Sequence, residues 1–255
     1  MHAGFDVSGK VVVVTGGGQG IGRVYAQAFA AAGALPVIAD RHAEAGAAVA
    51  AALREAGHEA TAFTTDIADP ASVDALVAAV LARHGRIDVL VNNASIFSTL
   101  TLRGFTEIPL EEWDHVLRVN VTGSFLMTRA VAPGMKSRGW GRVINMASAA
   151  VNMGRPNYLH YTTSKAAVIG MTRSLARELG AHGITVNAVL PGATTTEVPR
   201  ETVTPQQKAA MIAMRSVPRE EVPEDLVGTV LFLASEASAF VTGQSITVDG
   251  GLTFL

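Results

Sequence analysis

Tyr161 and Lys165 stand four positions apart in the run Tyr-Thr-Thr-Ser-Lys. On a helix, side chains at that spacing share one face a turn apart. A phenol and an ammonium would then be neighbours. A positive charge within ~4 to 6 Å favours the phenolate and draws a group that ordinarily titrates near ~10 toward neutrality. Such a pair can give and take a proton at ordinary pH. A second cluster suits a different task. The run Thr15-Gly-Gly-Gly-Gln-Gly-Ile-Gly22 follows a β-branched stretch and precedes an Ala-rich one, so its main-chain amides and a helix N-terminus would face a phosphate. Asp40 comes 18 residues after Gly22, at the end of the next β-branched run. A ribose-binding acid belongs there when the phosphate is part of a dinucleotide.

The elements that must position these residues are legible in the alternation of the text. Short β-branched runs at 11–15, 35–39, 61–65, 89–92, 142–146, 185–190 and 245–248 alternate with longer amphipathic stretches from Lys10 to Asp249. That is the pattern of a parallel sheet flanked by helices. Asp69-Pro70 reads as an N-cap followed by proline at the first helical position. Gly33, Gly57, Gly85 and Gly183 each close a helical run just before a strand, where a left-handed cap is wanted. Two irregular stretches, 95–109 and 191–205, follow strands. In open α/β sheets, loops at the carboxyl ends of strands line the ligand crevice.

Composition narrows the chemistry. A chain of 255 residues, 49% hydrophobic, suits one large α/β domain, taken here as 1–255. Its net charge of −2 and lack of like-charge blocks point to neither nucleic acid nor an anionic membrane as partner. A small neutral or mildly charged ligand is expected. With no cysteine, thiolate catalysis, disulfides and zinc-thiolate sites are excluded, and a reducing, cytoplasmic setting is expected. No apolar run reaches the ~18 to 20 residues that cross a bilayer. The seven histidines include no recognisable ligand spacing, so no metal is expected, and His160 points off the Tyr161–Lys165 face.

The motifs recur in order from about Val7 to Gly251, and on them the chain resembles the short-chain dehydrogenase/reductase family. Gly16, Gly20 and Gly22, with Gln19 and Ile21 between them, fit that family's G-x-x-x-G-x-G rather than G-x-G-x-x-G. Asp66-Ile67 resembles its adenine-contacting pair, and Asn92-Asn93-Ala94-Ser95 its Asn-Asn-Ala-Gly turn. Ser95 departs from the family's glycine, so it should take a less favoured backbone conformation or shift the turn. Pro191-Gly192 with Thr194 and Thr196 is similar to the segment that contacts the nicotinamide carboxamide, with Thr194 where a branched apolar residue is commoner.

The resemblance implies a doubly wound, Rossmann-like sheet of seven parallel strands in the order 3-2-1-4-5-6-7. It also implies a catalytic set. Ser148 precedes Tyr161 by 13 residues, the family's spacing, and Asn120 sits midway along a long helix at 110–136. Tyr161 would donate a proton to a carbonyl oxygen that Ser148 also hydrogen-bonds. Lys165 would lower the tyrosine pKa and hold the nicotinamide ribose, and Asn120 would fix a water leading from Lys165 to solvent. Asn152 and Tyr158 are further candidates for the substrate pocket. Residues 193–218, polar and then methionine-rich, read as a lid. Asp40 favours NAD over NADP, with Arg41 the one neighbour that could accept a 2′-phosphate. The implied assembly is a homotetramer built through helices at 110–136 and 157–181 and through the last strand.

The expected activity is hydride transfer between NAD(H) and a secondary alcohol/ketone pair. Residues 131–148 and 169–192 are similar both to 3-oxoacyl-carrier-protein reductases and to aryl secondary-alcohol dehydrogenases of the 1-phenylethanol type. A dinucleotide-binding sensor without catalysis is the alternative from another class. Its mark would be a broken catalytic set, and all four positions are filled here.

Overall fold

The computed structural model describes residues 5–199 and 204–254. Seven strands, β1 (Val11–Thr15), β2 (Leu35–Asp40), β3 (Thr61–Thr64), β4 (Val89–Asn92), β5 (Gly141–Met146), β6 (Ile184–Pro191) and β7 (Ser245–Val248), form one sheet in the order β3-β2-β1-β4-β5-β6-β7. Every neighbouring pair runs parallel. This is the doubly wound arrangement expected from the sequence. The helices are α1 (Gly20–Ala31), α2 (Ala43–Glu55), α3 (Pro70–His84), α4 (Leu110–Leu117), α5 (Ser124–Arg138), α6 (Ala150–Met153), α7 (Leu159–Leu179), α8 (Pro205–Met214) and α9 (Glu224–Ala234).

Successive residues of β1 serve opposite faces of the sheet, as a period of two requires. Val11 and Val13 join a core with Leu76 of α3, Met127 of α5 and Leu179 of α7. Val12 and Val14 join another with Phe29 of α1 and Leu226 and Val230 of α9. Both faces of the sheet are therefore covered, and its strands read as unbroken apolar runs.

Chain order reverses beside β1, which pairs with β2 on one side and β4 on the other. The loops leaving β1 and β4 diverge there and open a crevice. Gly33, Gly57, Gly85 and Gly183 all take left-handed conformations, with φ of 79°, 85°, 73° and 70°. Asp69 accepts a hydrogen bond from the Ala71 amide, completing the cap read from Asp69-Pro70.

The long helix expected at 110–136 is interrupted. A π-helical turn, Arg118–Gly123, joins α4 to α5 and contains Asn120. Of the expected lid, residues 200–203 lie outside the described residues. Its one helix, α8, opens with a reciprocal cap between Thr204 and Gln207. Met214 at its end is 69% exposed, so this methionine covers no apolar pocket here.

Two glycines predict different penalties. A Cβ on Gly22 would lie 2.2 Å from the Gly16 carbonyl oxygen and 2.5 Å from Asn93 Nδ2, whereas one on Gly85 meets nothing within 4 Å. Gly85→Ala should cost only the left-handed backbone penalty, about 1–2 kcal/mol. A loss of 1 kcal/mol corresponds to roughly 2–4 °C in a chain of this size. Gly22→Ala should lower Tm at least about twice as far, by forcing main chain apart. Equal shifts in thermal unfolding would show that the close approach at Gly22 is not a constraint.

Candidate active site

The crevice has a volume of about 890 Å³, and the two sequence motifs form its two ends. At one end lie Gly16, Gln19, Gly20, Ile21 and Gly22. Gln19 makes no side-chain cap at the start of α1, which leaves that helix end facing the crevice. Gly16 approaches the next loop so closely that a Cβ would sit 2.9 Å from the Ala94 Cα. Asp40, at the tip of β2, also lines the crevice and is only 6% exposed. Its Oδ2 accepts from the Gly18 amide at 2.9 Å and its Oδ1 from the His42 amide at 2.9 Å. One lone pair on each oxygen remains for a ligand. Arg41 is exposed and its Nε donates to His42 Nε2 at 3.1 Å. Asp66 and Ile67 close this end, with Ile67 packed onto Gly123.

At the other end Ser148, Tyr161 and Lys165 line the crevice with Pro191, Gly192 and Thr194, whereas Thr196 lines it close to Gly20. Ser148 follows β5, and its Oγ accepts from the Ala150 amide at 3.2 Å. Tyr161 and Lys165 project from the same face of α7, with Lys165 Nζ 5.7 Å from the tyrosine ring centre. Lys165 is buried, donating to the Met146 carbonyl at 2.8 Å. No carboxylate compensates its burial, so desolvation lowers its pKa to about 7. The amine is therefore not a permanent ammonium in this state, in contrast to the plain positive charge expected from the sequence.

Four residues expected at the site do not line the crevice. Asn92 points the other way, into the sheet: it pairs with Asn145 across β4 and β5, donating to its Oδ1 at 2.8 Å and to Thr128 Oγ1 at 3.1 Å. Strand alternation hands the crevice to Asn93 instead. Tyr158 is fully buried against Leu100 and Val116, and its hydroxyl donates to the Phe97 carbonyl at 2.6 Å. It braces the loop that lines the pocket rather than touching its contents. Asn152 lies 3.4 Å from both Thr247 Oγ1 and Thr253 Oγ1, near the last strand. Asn120 is 1% exposed. Its Oδ1 accepts from the Ile96 amide at 2.7 Å, while its Nδ2 donates to the Ile96 carbonyl at 3.2 Å and Ser164 Oγ at 3.0 Å. That side chain ties the pocket loop to α7, with both Nδ2 hydrogens used and one lone pair on Oδ1 left to accept from a water.

Ser95 lines the crevice without backbone strain, since Asn157 is the only described non-glycine residue with positive φ. Thr194 turns its hydroxyl onto Glu221 Oε1 at 2.6 Å, which accounts for a polar residue at that position. Two residues at the glycine loop escaped the sequence reading. Asn93 Nδ2 donates to the Thr15 carbonyl at 2.9 Å and the Gly16 carbonyl at 3.2 Å. Glu197 Oε1 accepts from the Gly20 amide at 2.8 Å and lies 3.2 Å from Arg23 Nη2, so a carboxylate already occupies part of the helix end. An acid directly after Thr196 was the available signal. His160 is buried outside the crevice beside Glu112, and desolvation lowers its pKa. Among the described residues no group of three or more metal-ligating side chains is arranged to hold a metal ion, and no helix is long and apolar enough to cross a membrane.

A family model described as enoyl-(acyl carrier protein) reductase matches residues 16–253. The chain is 36% identical over 98% of its length to D-threitol dehydrogenase of Mycolicibacterium smegmatis, covering 95% of that protein. It is 40% identical over 96% of its length to a 3-oxoacyl-[acyl-carrier-protein] reductase of Synechocystis sp., covering 98% of it. Among solved structures, a 7α-hydroxysteroid dehydrogenase complexed with NADH and 7-oxo glycochenodeoxycholic acid superposes with a TM-score of 0.92 at 33% identity, with 97% of this chain and 95% of that one covered. With this fold and crevice, the chain belongs to the short-chain dehydrogenase/reductase family of oxidoreductases.

The buried amine sets a pH dependence of stability. Lys165 has a folded pKa of about 7, against roughly 10.4 for an unfolded lysine. Between those values the unfolded chain binds the extra proton, so stability rises with pH across the window. The penalty is full below about pH 7 and gone above about pH 10.5. Lys165→Met should therefore stabilise the cofactor-free protein by a few kcal/mol at pH 6, on the order of the ~1.4 kcal/mol per pKa unit that burial removes. The gain should shrink steadily toward pH 10. A denaturant-unfolding series showing the same difference at pH 6 and pH 9.5 would overturn this.

Proposed function

We propose that this protein transfers a hydride between NAD(H) and a secondary alcohol/ketone pair, with Ser148, Tyr161, Lys165 and Asn120 as its catalytic set. The observation that carries the reading is the convergence of Ser148, Tyr161 and Lys165 on one wall of a crevice whose other end is the glycine loop and Asp40. The residues fit a dinucleotide. The glycine loop leaves no room for side chains at Gly16 and Gly22, and Asp40 keeps an acceptor free on each oxygen. Gly16, Gln19, Gly20, Ile21 and Gly22 would hold the phosphates once Glu197 gives up the Gly20 amide, with Asp40 and Arg41 at the adenosine ribose, Asp66 and Ile67 at the adenine, and Ala94, Pro191, Gly192, Thr194 and Thr196 at the nicotinamide half.

When bound, the cofactor supplies or receives the hydride. The protein's part is to orient and to move one proton. In reduction, the Tyr161 hydroxyl gives its proton to the carbonyl oxygen, while Ser148 donates a hydrogen bond to the same oxygen. In oxidation Tyr161 takes the proton back. Lys165, four residues on along α7, supplies positive charge beside the phenol in its protonated form, which a pKa of about 7 leaves in balance with the neutral amine near neutral pH. Asn120 holds Ile96 and Ser164 in place on either side of the reacting groups. The substrate end is built from Ile96, Phe97, Ser98 and Thr99, none of them charged, which favours a neutral ketone or alcohol. Reduction of 3-oxoacyl thioesters is the second reading, supported by the Synechocystis relative.

The proposed assembly is a cytoplasmic homotetramer. Exposed Leu110, Phe125 and Leu159 on α4, α5 and α7, and exposed Phe240 and Phe254 around β7, are the apolar surfaces that support it.

A panel of ketones, secondary alcohols and 3-oxoacyl thioesters, followed by nicotinamide absorbance, tests the activity. Tyr161→Phe should lower kcat by about 10²- to 10⁴-fold with cofactor binding retained. A variant keeping half of wild-type kcat would remove Tyr161 from its role.

The cofactor preference rests on Asp40. A 2′-phosphate would bring about −1.5 to −2 charges beside its carboxylate. The wild type should therefore favour NAD(H) over NADP(H) by at least about tenfold in kcat/KM, ~1.4 kcal/mol, and Asp40→Ser should narrow the gap. Equal use by the wild type would show that Arg41 decides.

A further inference from the structure

The segment that forms the nicotinamide side of the crevice is held by a buried ion pair that no part of the mechanism uses. Glu221 and Arg215 have side chains only 5% and 2% exposed, and Glu221 Oε2 lies 3.2 Å from Arg215 Nη2. Glu221 Oε1 accepts from the Gly192 amide at 3.1 Å and from Thr194 Oγ1 at 2.6 Å. The Glu221 carbonyl accepts from the Thr195 amide at 2.8 Å, completing a parallel bridge between Thr194 and Glu221. Arg215 adds a bond from Nη2 to the Ala193 carbonyl at 3.3 Å and one from Nη1 to the Arg219 carbonyl at 2.8 Å. Two side chains thus hold three consecutive residues, 192–194, and the Glu221 main chain holds the fourth, Thr195.

The pair also joins the two ends of one excursion. The chain leaves β6 at Pro191, runs through α8, and returns at Arg215–Glu221 directly after that helix. Residues 196–199 and α8 lie between two points that Arg215 and Glu221 fasten together. Stability is a poor reason for such a pair, because apolar side chains of similar volume usually do as well in a buried site. Burial raises the Glu221 carboxyl pKa against the pull of Thr194, Arg215 and Gly192. Asp249, the other buried acid nearby, is committed to the amides of Gly251, Leu252 and Thr253. What a carboxylate provides and an apolar chain cannot is direction: it fixes where an amide and a hydroxyl point.

We infer that Glu221, held by Arg215, is a positioning residue that fixes residues 192–194 relative to Ser148 and Tyr161, so that the ring lying on this wall keeps its distance to the substrate carbon. The inference rests on the dehydrogenase reading above. Neither side chain lines the crevice, and neither is a catalytic residue.

Two variants test it: Glu221→Gln, and the apolar double variant Arg215→Met, Glu221→Leu, which leaves every crevice-lining residue in place. The readouts are kcat and KM with NADH, the kinetic isotope effect with nicotinamide-deuterated NADH, thermal unfolding, and amide hydrogen exchange of residues 192–194. A displacement of about 1 Å can cost ~10²-fold in rate. Glu221→Gln should therefore lower kcat roughly ten- to hundredfold, raise the isotope effect as hydride transfer becomes limiting, and speed exchange at 192–194, with little change in KM for NADH. The double variant should recover thermal stability but not the rate, the isotope effect or the slow exchange. A purely structural role would let the double variant recover them all, and that result overturns the inference. So does Glu221→Gln with wild-type kcat and exchange. If Glu221→Gln does not fold, the double variant decides alone. If the wild type turns over no member of the panel, the dehydrogenase reading fails, and exchange at 192–194 still tells whether Glu221 fixes this wall.

Discussion

The crevice exists because the ends of β1 and β4 are stapled before their loops part. Thr15 is fully buried, and its Oγ1 accepts from the amides of both Asn93 and Ala94 at 3.0 Å while donating to the Val91 carbonyl at 3.3 Å. Asn93 returns the contact by donating to the carbonyls of Thr15 and Gly16. The Asn93 and Ala94 amides and the Thr15 and Gly16 carbonyls are thereby satisfied at this reversal of strand order, while the Gly16 amide donates to the Ala39 carbonyl of β2 at 2.7 Å. Without that closure the glycine loop would have no fixed height above the sheet. Gly16 could then not approach Ala94, and α1 would not present its end to the crevice.

The same sheet carries a cost at its other functional end. Lys165 reaches the crevice only by passing through the packed layer between α7 and β5, where the Met146 carbonyl is its one hydrogen-bond acceptor. Its charge and its burial oppose each other, and the resulting pKa of about 7 lies where small changes in surroundings alter its protonation. Thr172 and Asn145, the next polar pair below it, avoid the conflict by bonding each other at 2.9 Å.

Most of the architecture was legible because it rests on local signals. The strands at Val11–Thr15, Val89–Asn92 and Ser245–Val248 begin and end where β-branched runs meet turn residues. The glycine loop, Asp40 and the Tyr161–Lys165 face were readable for the same reason, being short-range spacings on strong elements. What escaped depends on register or on long-range pairing. The π-helical turn at Arg118–Gly123 is a slip of main-chain bonding with no side-chain signature, so the sequence read as one helix. The Asn-Asn pair marks the right turn, but which asparagine faces the crevice depends on the register of Asn92 against Asn145. Tyr158 and Tyr161 lie three residues apart with rings 4.7 Å apart, yet only Tyr161 lines the crevice; helical spacing did not resolve that difference. Nothing near Gly192 or Thr194 in the sequence announces Glu221, whose bonds to them span 29 and 27 residues.

Gly192 shows what such long-range packing does to the history of a protein. A Cβ there would come within 2.4 Å of Glu221 Oε2 and 2.9 Å of the Asp249 Cβ. Residues in contact of this kind do not change independently, and their effects on stability couple by roughly 0.5–3 kcal/mol. A larger residue at 192 is tolerable only after Glu221 has shortened or left and the chain at Asp249 has drawn back, and Glu221 can leave cheaply only after Arg215 has lost its charge. The order of substitutions is thus constrained as strongly as their identity. A library that varies position 192 alone will return glycine, whereas one that varies 192, 194, 215, 221 and 249 together can reach walls that no sequence of single steps would visit.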